Sequence, residues 1–514
     1  MTRDVGDSIG SGGPAEDELW HDLTEPHPGS GGGVHCSEAI LDSTGLRNLI
    51  EDEARRLRRS GISPGERVVI AAENCHRAYA GFHGVVAAGA TAVPLNVRLH
   101  PREIGMILDD IEPSLILFHP DQGSTVEAGL QWSSQPNLRR SPLQDSPSSG
   151  PRRSFEWEAL ADPLTIFTTS GSTGRPKGVM LTATSLLANA AQLLSVDGLD
   201  TGERYLHSAP VFHLGDAATG IAAALAGCEH LFLRKFDPAQ AADLIRHHVD
   251  WTMMVPTMIA RVLDAMPERG PVRLRCLLYG GAVMTYHLAR RAQERFGPVL
   301  LQAYGLSEFP SAATALTPTE HVELLGAPGA AAAWGSVGRP VAGVEIGIDE
   351  TGEVLLRGRN MMSGYWRNPT ATGEVIRDGW LATGDAGSID ADGHLHLSGR
   401  VKDMIITGGE NVYANEVELA VALVPGVEEV AVLGLPDEDW GERVHAVVFA
   451  RNPLDPTAVD SALRGSLTPF KRPKSYTILH EPLPRNSIGK IDKRELRERF
   501  EEAEGGRPAG RTDP

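Results

Sequence analysis

Apolar residues recur at helical spacing at Leu46, Leu49, Ile50, Ala54 and Leu57, with Ser43 or Thr44 placed to cap the stretch and Gly61 to end it. An amphipathic helix is predicted there. The run Arg67-Val68-Val69-Ile70-Ala71 follows, then a second helical stretch ending near Gly89, then Thr91-Ala92-Val93-Pro94-Leu95. This is the rhythm of a βαβ unit and predicts a parallel sheet. Short apolar runs return at Leu115 to Phe118, Leu164 to Phe167, Trp251 to Val255, Cys276 to Tyr279 and Val299 to Leu301. They lack period-2 alternation, as strands covered on both faces do.

From Ser133 to Arg153 the chain turns to Ser, Pro, Gln and Asn, and an exposed loop is expected. After Gly399 the pattern changes. Val430 to Leu433, a turn at Pro436, Asp437 and Glu438, and Val444 to Phe449 predict a small α+β unit that closes with a charged helix from Ile491 to Glu502. The expected fold class is α/β: a large N-terminal domain of layered βαβ sheets, residues 34–400, and a small mobile α+β C-terminal domain, residues 401–503. Flexible tails are expected at 1–33 and 504–514.

Composition narrows the function. Of 514 residues, 48 are Lys or Arg and 67 are Asp or Glu, a formal net charge of -19, so no global field gathers nucleic acid or an anionic membrane. Phosphate chemistry here needs local positive charge. No window approaches the ~18 apolar residues of a membrane helix, and Met1 to Gly33 lacks the basic start and apolar centre of a leader; a cytoplasmic protein is expected. Cys36, Cys75, Cys228 and Cys276 are too scattered for a ligand pair and are expected to be buried, inert thiols. His247 and His248 face different sides of any helix and share no metal.

The sharpest segment is Thr169-Ser170-Gly171-Ser172-Thr173-Gly174-Arg175-Pro176-Lys177-Gly178, directly after an apolar run. Three glycines let the backbone approach an anion, hydroxyls and N–H groups donate to phosphate oxygens, and one lysine adds charge. The Walker pattern is not met, because the lysine lies between proline and glycine. A plain Ser/Gly hairpin loop is the alternative on these residues alone.

This segment resembles the phosphate loop of the adenylate-forming superfamily, and further motifs match in order across about residues 40 to 496. They are Pro210-Val211-Phe212-His213, Tyr279-Gly280-Gly281-Ala282, Gln302-Ala303-Tyr304-Gly305-Leu306-Ser307-Glu308, Gly379 to Asp385, Gly399-Arg400-Val401-Lys402-Asp403 and Pro484 to Ile491. The resemblance, to the acyl- and aryl-CoA synthetase branch, implies an acid–thiol ligase that joins a carboxylate to ATP with release of pyrophosphate and passes the acyl group to coenzyme A. ATP, Mg2+ and CoA are the implied cofactors, and a small carboxylic acid is the substrate.

It also implies roles for residues. Lys490 would be the catalytic lysine of the first step, with Glu308 holding magnesium and Ser307 contacting phosphate, where the family usually has threonine. Tyr304 would stack on adenine, with Gly280, Gly281, Ala282, Gln302 and Ala303 around the nucleotide. Asp385 would accept the ribose hydroxyls, with Arg400 reaching the same sugar or the phosphates. Lys402 would be the hinge about which the small domain exchanges Lys490 for the Gly408-Gly409 turn, whose bare backbone leaves room for a pantetheine arm. Arg98, Trp440, Phe470, Arg472 and Lys474 match positions that touch the CoA nucleotide; a solvated basic loop is the alternative for the last three.

His213 stands where amino-acid-activating relatives carry an aspartate, so an α-amino acid is disfavoured. His213, Leu214, Ala217 and Gly305 are expected to border a roomy acid pocket, and Asp216 to cap the helix running to Ala226. A carrier protein as acceptor, or a non-catalytic adenylate-binding relative, are the competing readings. Intact Lys490, Glu308 and Asp385 argue against the second, and the departures Ala386 and Asn486 remove no charge the chemistry needs.

Overall fold

Val68 to Ala71 are buried on both faces within the strand Arg67–Ala71, which pairs in parallel with Thr91–Pro94 on one side and Leu115–Phe118 on the other. This is the nucleus of a seven-stranded sheet ordered Gly364–Tyr365, Lys177–Leu181, Thr165–Thr169, Thr91–Pro94, Arg67–Ala71, Leu115–Phe118, Arg140–Pro142. Only its first two pairings are antiparallel. The computed structural model describes residues 33–147, 155–169, 176–196, 199–437, 439–485 and 491–505.

Among these residues a second, nine-stranded sheet runs Arg339–Pro340, Thr314–Leu316, Leu300–Tyr304, Cys276–Tyr279, Trp251–Met254, Arg204–His207, Glu229–Phe232, Val34–His35, Ile40–Leu41. Its middle strands are parallel, as the unbroken apolar runs predict. One core unites the two sheets, with Ile70, Leu117, Tyr205, Trp251 and Leu278 in a single buried cluster. Parallel strands leave their carboxyl ends pointing one way, and loops at those ends carry the candidate residues.

The strands Val344–Ile348, Glu353–Gly358, Ile376–Arg377, Trp380–Ile389 and Leu395–Arg400 form an antiparallel sheet in which Trp380–Ile389 pairs with Glu353–Gly358 and Leu395–Arg400. Glu353–Gly358 buries alternate residues, a period-2 signal that the search for unbroken runs passed over. Beyond Arg400, the strands Met404–Thr407, Glu410–Tyr413, Glu429–Asp437, Gly441–Phe449 and Ser475–Leu479 make a fourth sheet. It has its own core, including Ile405, Val417, Val432 and Val444. No helix among the described residues is long and apolar enough to cross a membrane.

Several expectations are corrected. The first helix, Ser43–Arg59, is capped by Asp42, whose carboxylate accepts from the Gly45 N–H at 2.7 Å, not by Ser43 or Thr44. The polar segment after Ser133 contains the edge strand Arg140–Pro142, anchored by buried Leu138 and Leu143; its residues 148–154 lie outside the described set. The turn expected at Pro436 is instead the end of a strand that runs to Asp437.

The cysteines do not behave alike. Cys36 is only half-buried, and its sulfur lies 3.2 Å from His76 Nδ1. Burial pushes the Cys36 thiol up, but hydrogen bonds from the His76 ring and backbone N–H outweigh it and hold the thiol at about 7. Burial pushes Cys75 to about 12 and Cys228 well upward. Because the thiolate is the nucleophile, iodoacetamide at pH 7 is expected to label Cys36 first and to leave Cys75 and Cys228 unmodified until the chain unfolds. Peptide mapping by mass spectrometry checks this; labelling of Cys75 or Cys228 at the same rate would refute it.

Candidate active site

Tyr304 ends the strand Leu300–Tyr304, and its phenol donates to Asp385 Oδ2 at 2.7 Å. Burial first, and then the charge of Asp385, push that phenol upward, so it remains a donor. Asp385 sits opposite Arg400 across the pairing of Trp380–Ile389 with Leu395–Arg400, and Arg400 Nε lies 2.8 Å from Asp385 Oδ1. Arg400 also donates from Nη1 to the Thr383 carbonyl at 3.0 Å. Two residues from two strands thus meet on a carboxylate carried by a third. A carboxylate is an acceptor-only group, the chemistry that suits a pair of hydroxyls.

Glycines shape the floor beside Tyr304. A Cβ on Gly280 would come within 2.5 Å of the Ala303 carbonyl, and Gly281 holds φ +74; the turn needs both, while Ala282 is exposed. Buried Gln302 lies 3.1 Å from the Tyr279 hydroxyl, which also meets His321 Nε2 at 2.7 Å. At Gly305 the missing Cβ leaves its space to the backbone of Phe309 and Ser311, so this glycine serves the turn that carries Ser307 and Glu308 and does not enlarge an acid pocket.

Glu308 is held by Tyr365, whose hydroxyl donates to Glu308 Oε1 at 2.7 Å. Lys177, opening the strand Lys177–Leu181, sets its ammonium 4.7 Å from the centre of the Tyr365 ring. Thr169 faces Lys177 at the other side of that hairpin. Ser170, Gly171, Ser172, Thr173 and Gly174, and likewise Lys490, lie outside the described residues. No group of three or more His, Cys, Asp or Glu side chains that could hold a metal ion occurs among the described residues. A single carboxylate such as that of Glu308 fits magnesium, which is commonly bound by one or two carboxylates with phosphates and water supplying the rest.

On the acid side, His213 is the N-cap of the helix Leu214–Ala226, and its ring meets the edge of Phe212 at 4.9 Å. Arg98 stands over the other part of this motif, its guanidinium 5.5 Å from the Phe212 ring. The loop before the motif is braced by Asn74, which donates to the carbonyls of His207 and Ala209 at 3.0 and 2.7 Å and accepts from the Val211 N–H at 2.8 Å. Asp216 is not a helix cap. It is buried, accepts from the Tyr205 hydroxyl at 3.0 Å and lies 2.6 Å from His207 Nδ1. Leu214 is buried, while Ala217 lines a cavity with Ile70, Tyr79, Phe82, His83 and Phe212, about 560 Å³ with its mouth. Burial drives His83 down to about 3, so this side chain stays neutral.

The small sheet gathers part of the set expected for CoA. Gly408 (φ +60) donates its N–H to the Trp440 carbonyl at 2.8 Å, and a Cβ there would strike the indole at 2.5 Å. Lys474 stands 5.0 Å over the same indole, which is 45% exposed. Gly409 is open. Arg472 is instead paired with Asp460 at 3.1 Å, and Phe470 packs on the core of this unit. Lys402 lies exposed in the short turn Val401–Asp403 between the third and fourth sheets. Tyr365, Thr383 and Asn74 were not singled out from sequence; Gly364-Tyr365-Trp366 carries an aromatic pair after a glycine, but nothing in its spacing points to Glu308.

The chain resembles known proteins over most of its length. A family model described as AMP-binding enzyme matches residues 45–366, and a second, AMP-binding enzyme C-terminal domain, matches 416–490. The chain is 36% identical over 461 residues to a feruloyl-CoA synthase of Amycolatopsis sp, covering 87% of this chain and 91% of that protein. It is 32% identical to an indoleacetate–CoA ligase of Aromatoleum aromaticum, covering 90% and 94%. The structure of the amide bond synthetase McbA from Marinactinospora thermotolerans superposes with a TM-score of 0.85 at 28% identity, covering 95% of this chain and all of that one.

Proposed function

The chain belongs to the AMP-binding enzyme family, and from that premise we propose that it is an ATP-dependent carboxylic acid–CoA ligase acting on monocarboxylic acids with an uncharged apolar or aromatic tail. The observation that carries the reading is the convergence of Tyr304 and Arg400 on the carboxylate of Asp385, beside the Glu308 turn and the strand leaving the phosphate loop. The acid's carboxylate oxygen attacks the α-phosphorus of ATP, the bond to pyrophosphate breaks, and an acyl-adenylate forms. The CoA sulfur then attacks the acyl carbon, loses its proton, and AMP leaves.

In this reading Asp385 accepts the ribose hydroxyls, Tyr304 lies against the adenine, and Lys177 and Arg400 face the growing negative charge, where fixed cations act most strongly; the catalytic lysine is Lys490, which lies outside the described residues. Glu308 would hold magnesium, which when bound neutralises phosphate charge. Lys402 is the hinge between residues 34–400 and 401–503. The neutral apolar cavity beyond Phe212 and Ala217 supports the choice of acid, and the names of the two ligase relatives agree with it.

The test is pyrophosphate release with ATP and magnesium across straight-chain, aromatic, polycyclic and dicarboxylic acids, with and without CoA. Release that rises with CoA for apolar monocarboxylic acids supports the reading. Release that ignores CoA points to a carrier-protein acceptor, and no release from any acid defeats it. Trp440→Ala is expected to raise the KM for CoA roughly fivefold, the scale of a lost cation–π contact, with CoA-independent pyrophosphate release unchanged. Steady-state titration of CoA checks it.

A further inference from the structure

We propose that Tyr365 is a positioning residue for adenylate formation: its hydroxyl fixes the Glu308 carboxylate in the orientation that receives a divalent cation together with the nucleotide phosphates. This rests on the function proposed above.

The geometry joins two parts of the site that are far apart in sequence. The hydroxyl donates to Glu308 Oε1 at 2.7 Å, which leaves Oε2 and the second lone pair of Oε1 for a hard cation. The ring of the same residue lies under the Lys177 ammonium at 4.7 Å. Tyr365 is thus the side chain through which the exit of the phosphate loop and the metal-binding carboxylate are kept in register.

The backbone around it is stitched on both sides. The Met362 N–H donates to the Glu308 carbonyl at 2.9 Å, the Ser363 N–H to Met180 at 3.0 Å, and the Trp366 N–H to Gly178 at 2.7 Å. Tyr365 pairs with Val179 across the sheet, and its own N–H donates to Thr372 Oγ1 at 2.9 Å. Gly364 stands at φ +143, and a Cβ there would meet Thr372 Cγ2 at 2.9 Å, so the turn that aims Tyr365 admits no side chain at that position. A buried phenol mounted this firmly removes the freedom a lone glutamate would have. A free carboxylate samples several rotamers, and holding it in one lowers the entropy lost when the cation binds.

Tyr365→Phe keeps the ring under Lys177 and deletes only the hydroxyl. Calorimetric titration of the purified enzyme with ATP, in magnesium and in chelator, is the first readout. Magnesium-ATP is expected to bind roughly tenfold more weakly, as for one hydrogen bond to a charged acceptor, with binding of metal-free ATP unchanged. The magnesium concentration for half-maximal pyrophosphate release should rise by a similar factor, and thioester formation from supplied acyl-adenylate should be spared.

Glu308→Gln should produce the same shift, and the double variant should be no worse than Glu308→Gln alone. Should Tyr365→Phe fail to fold, Tyr365→Trp, which retains a ring, and Glu308→Gln carry the same titrations. Unchanged magnesium-ATP affinity, or equal loss with and without metal, overturns the proposal. A wild type that binds magnesium-ATP but adenylates no acid defeats the ligase reading and leaves the calorimetric test of Tyr365 standing.

Discussion

Lys490→Ala is expected to slow adenylate formation by roughly 10²–10³-fold, the scale for removing one preorganised group from developing negative charge. The expectation rests on the place of Lys490 in the segment Pro484 to Ile491 and on the chemistry of the first step, in which charge gathers on the oxygens around phosphorus. In the second step the sulfur attacks carbon and the C–O bonding pair leaves with AMP, after the proposed exchange of faces has carried Lys490 away from the phosphate. The same variant should therefore largely retain thioester formation from supplied acyl-adenylate. The two half-reactions are measured separately, by pyrophosphate exchange and by thioester appearance; equal loss in both would contradict the exchange of the two faces about Lys402.

Asp385→Asn should behave differently. The native carboxylate accepts from Tyr304 on one oxygen and Arg400 on the other. The amide replaces one acceptor by a donor, so either Tyr304 or Arg400 faces an NH2 group, and a ribose hydroxyl loses an acceptor. Hydrogen bonds to charged groups contribute about 1.5–3 kcal/mol, which corresponds to a fall of roughly 10–100-fold in kcat/KM for ATP. Because the acyl-adenylate carries the same ribose, use of supplied adenylate should fall as well. Unaltered KM for ATP would remove Asp385 from the nucleotide site.

Much of the fold is legible in the chain because parallel strands buried on both faces leave unbroken runs such as Val68 to Ala71 and Cys276 to Tyr279. The antiparallel sheet around Trp380–Ile389 was missed because one of its faces is wetter and its signal is alternation. Motif residues Tyr304, Asp385 and Arg400, carried on three strands, meet in the fold. The roles of Asp216 and Gly305 were misjudged for a common reason. A short polar residue near a helix start and a glycine in a turn each suggest a local purpose, whereas tertiary partners, His207 for the first and the Phe309 to Ser311 backbone for the second, decide what they do. Tyr365 and Asn74 could not be read at all, since a single hydrogen bond across the fold leaves no periodicity.

The Asn74 amide binds the end of the nine-stranded sheet to the end of the seven-stranded one through three hydrogen bonds. A backbone pinned in this way is a poor material for evolution to remodel, because any insertion between His207 and Val211 breaks several bonds at once. If the cavity takes the acid as proposed, new acid preferences are more easily reached by exchanging side chains on its wall, at Ala217, Ile221, Tyr79 or Phe82. Such exchanges require single codon changes and leave the nucleotide chemistry intact, so one scaffold can diversify its diet while its catalytic frame stays constant.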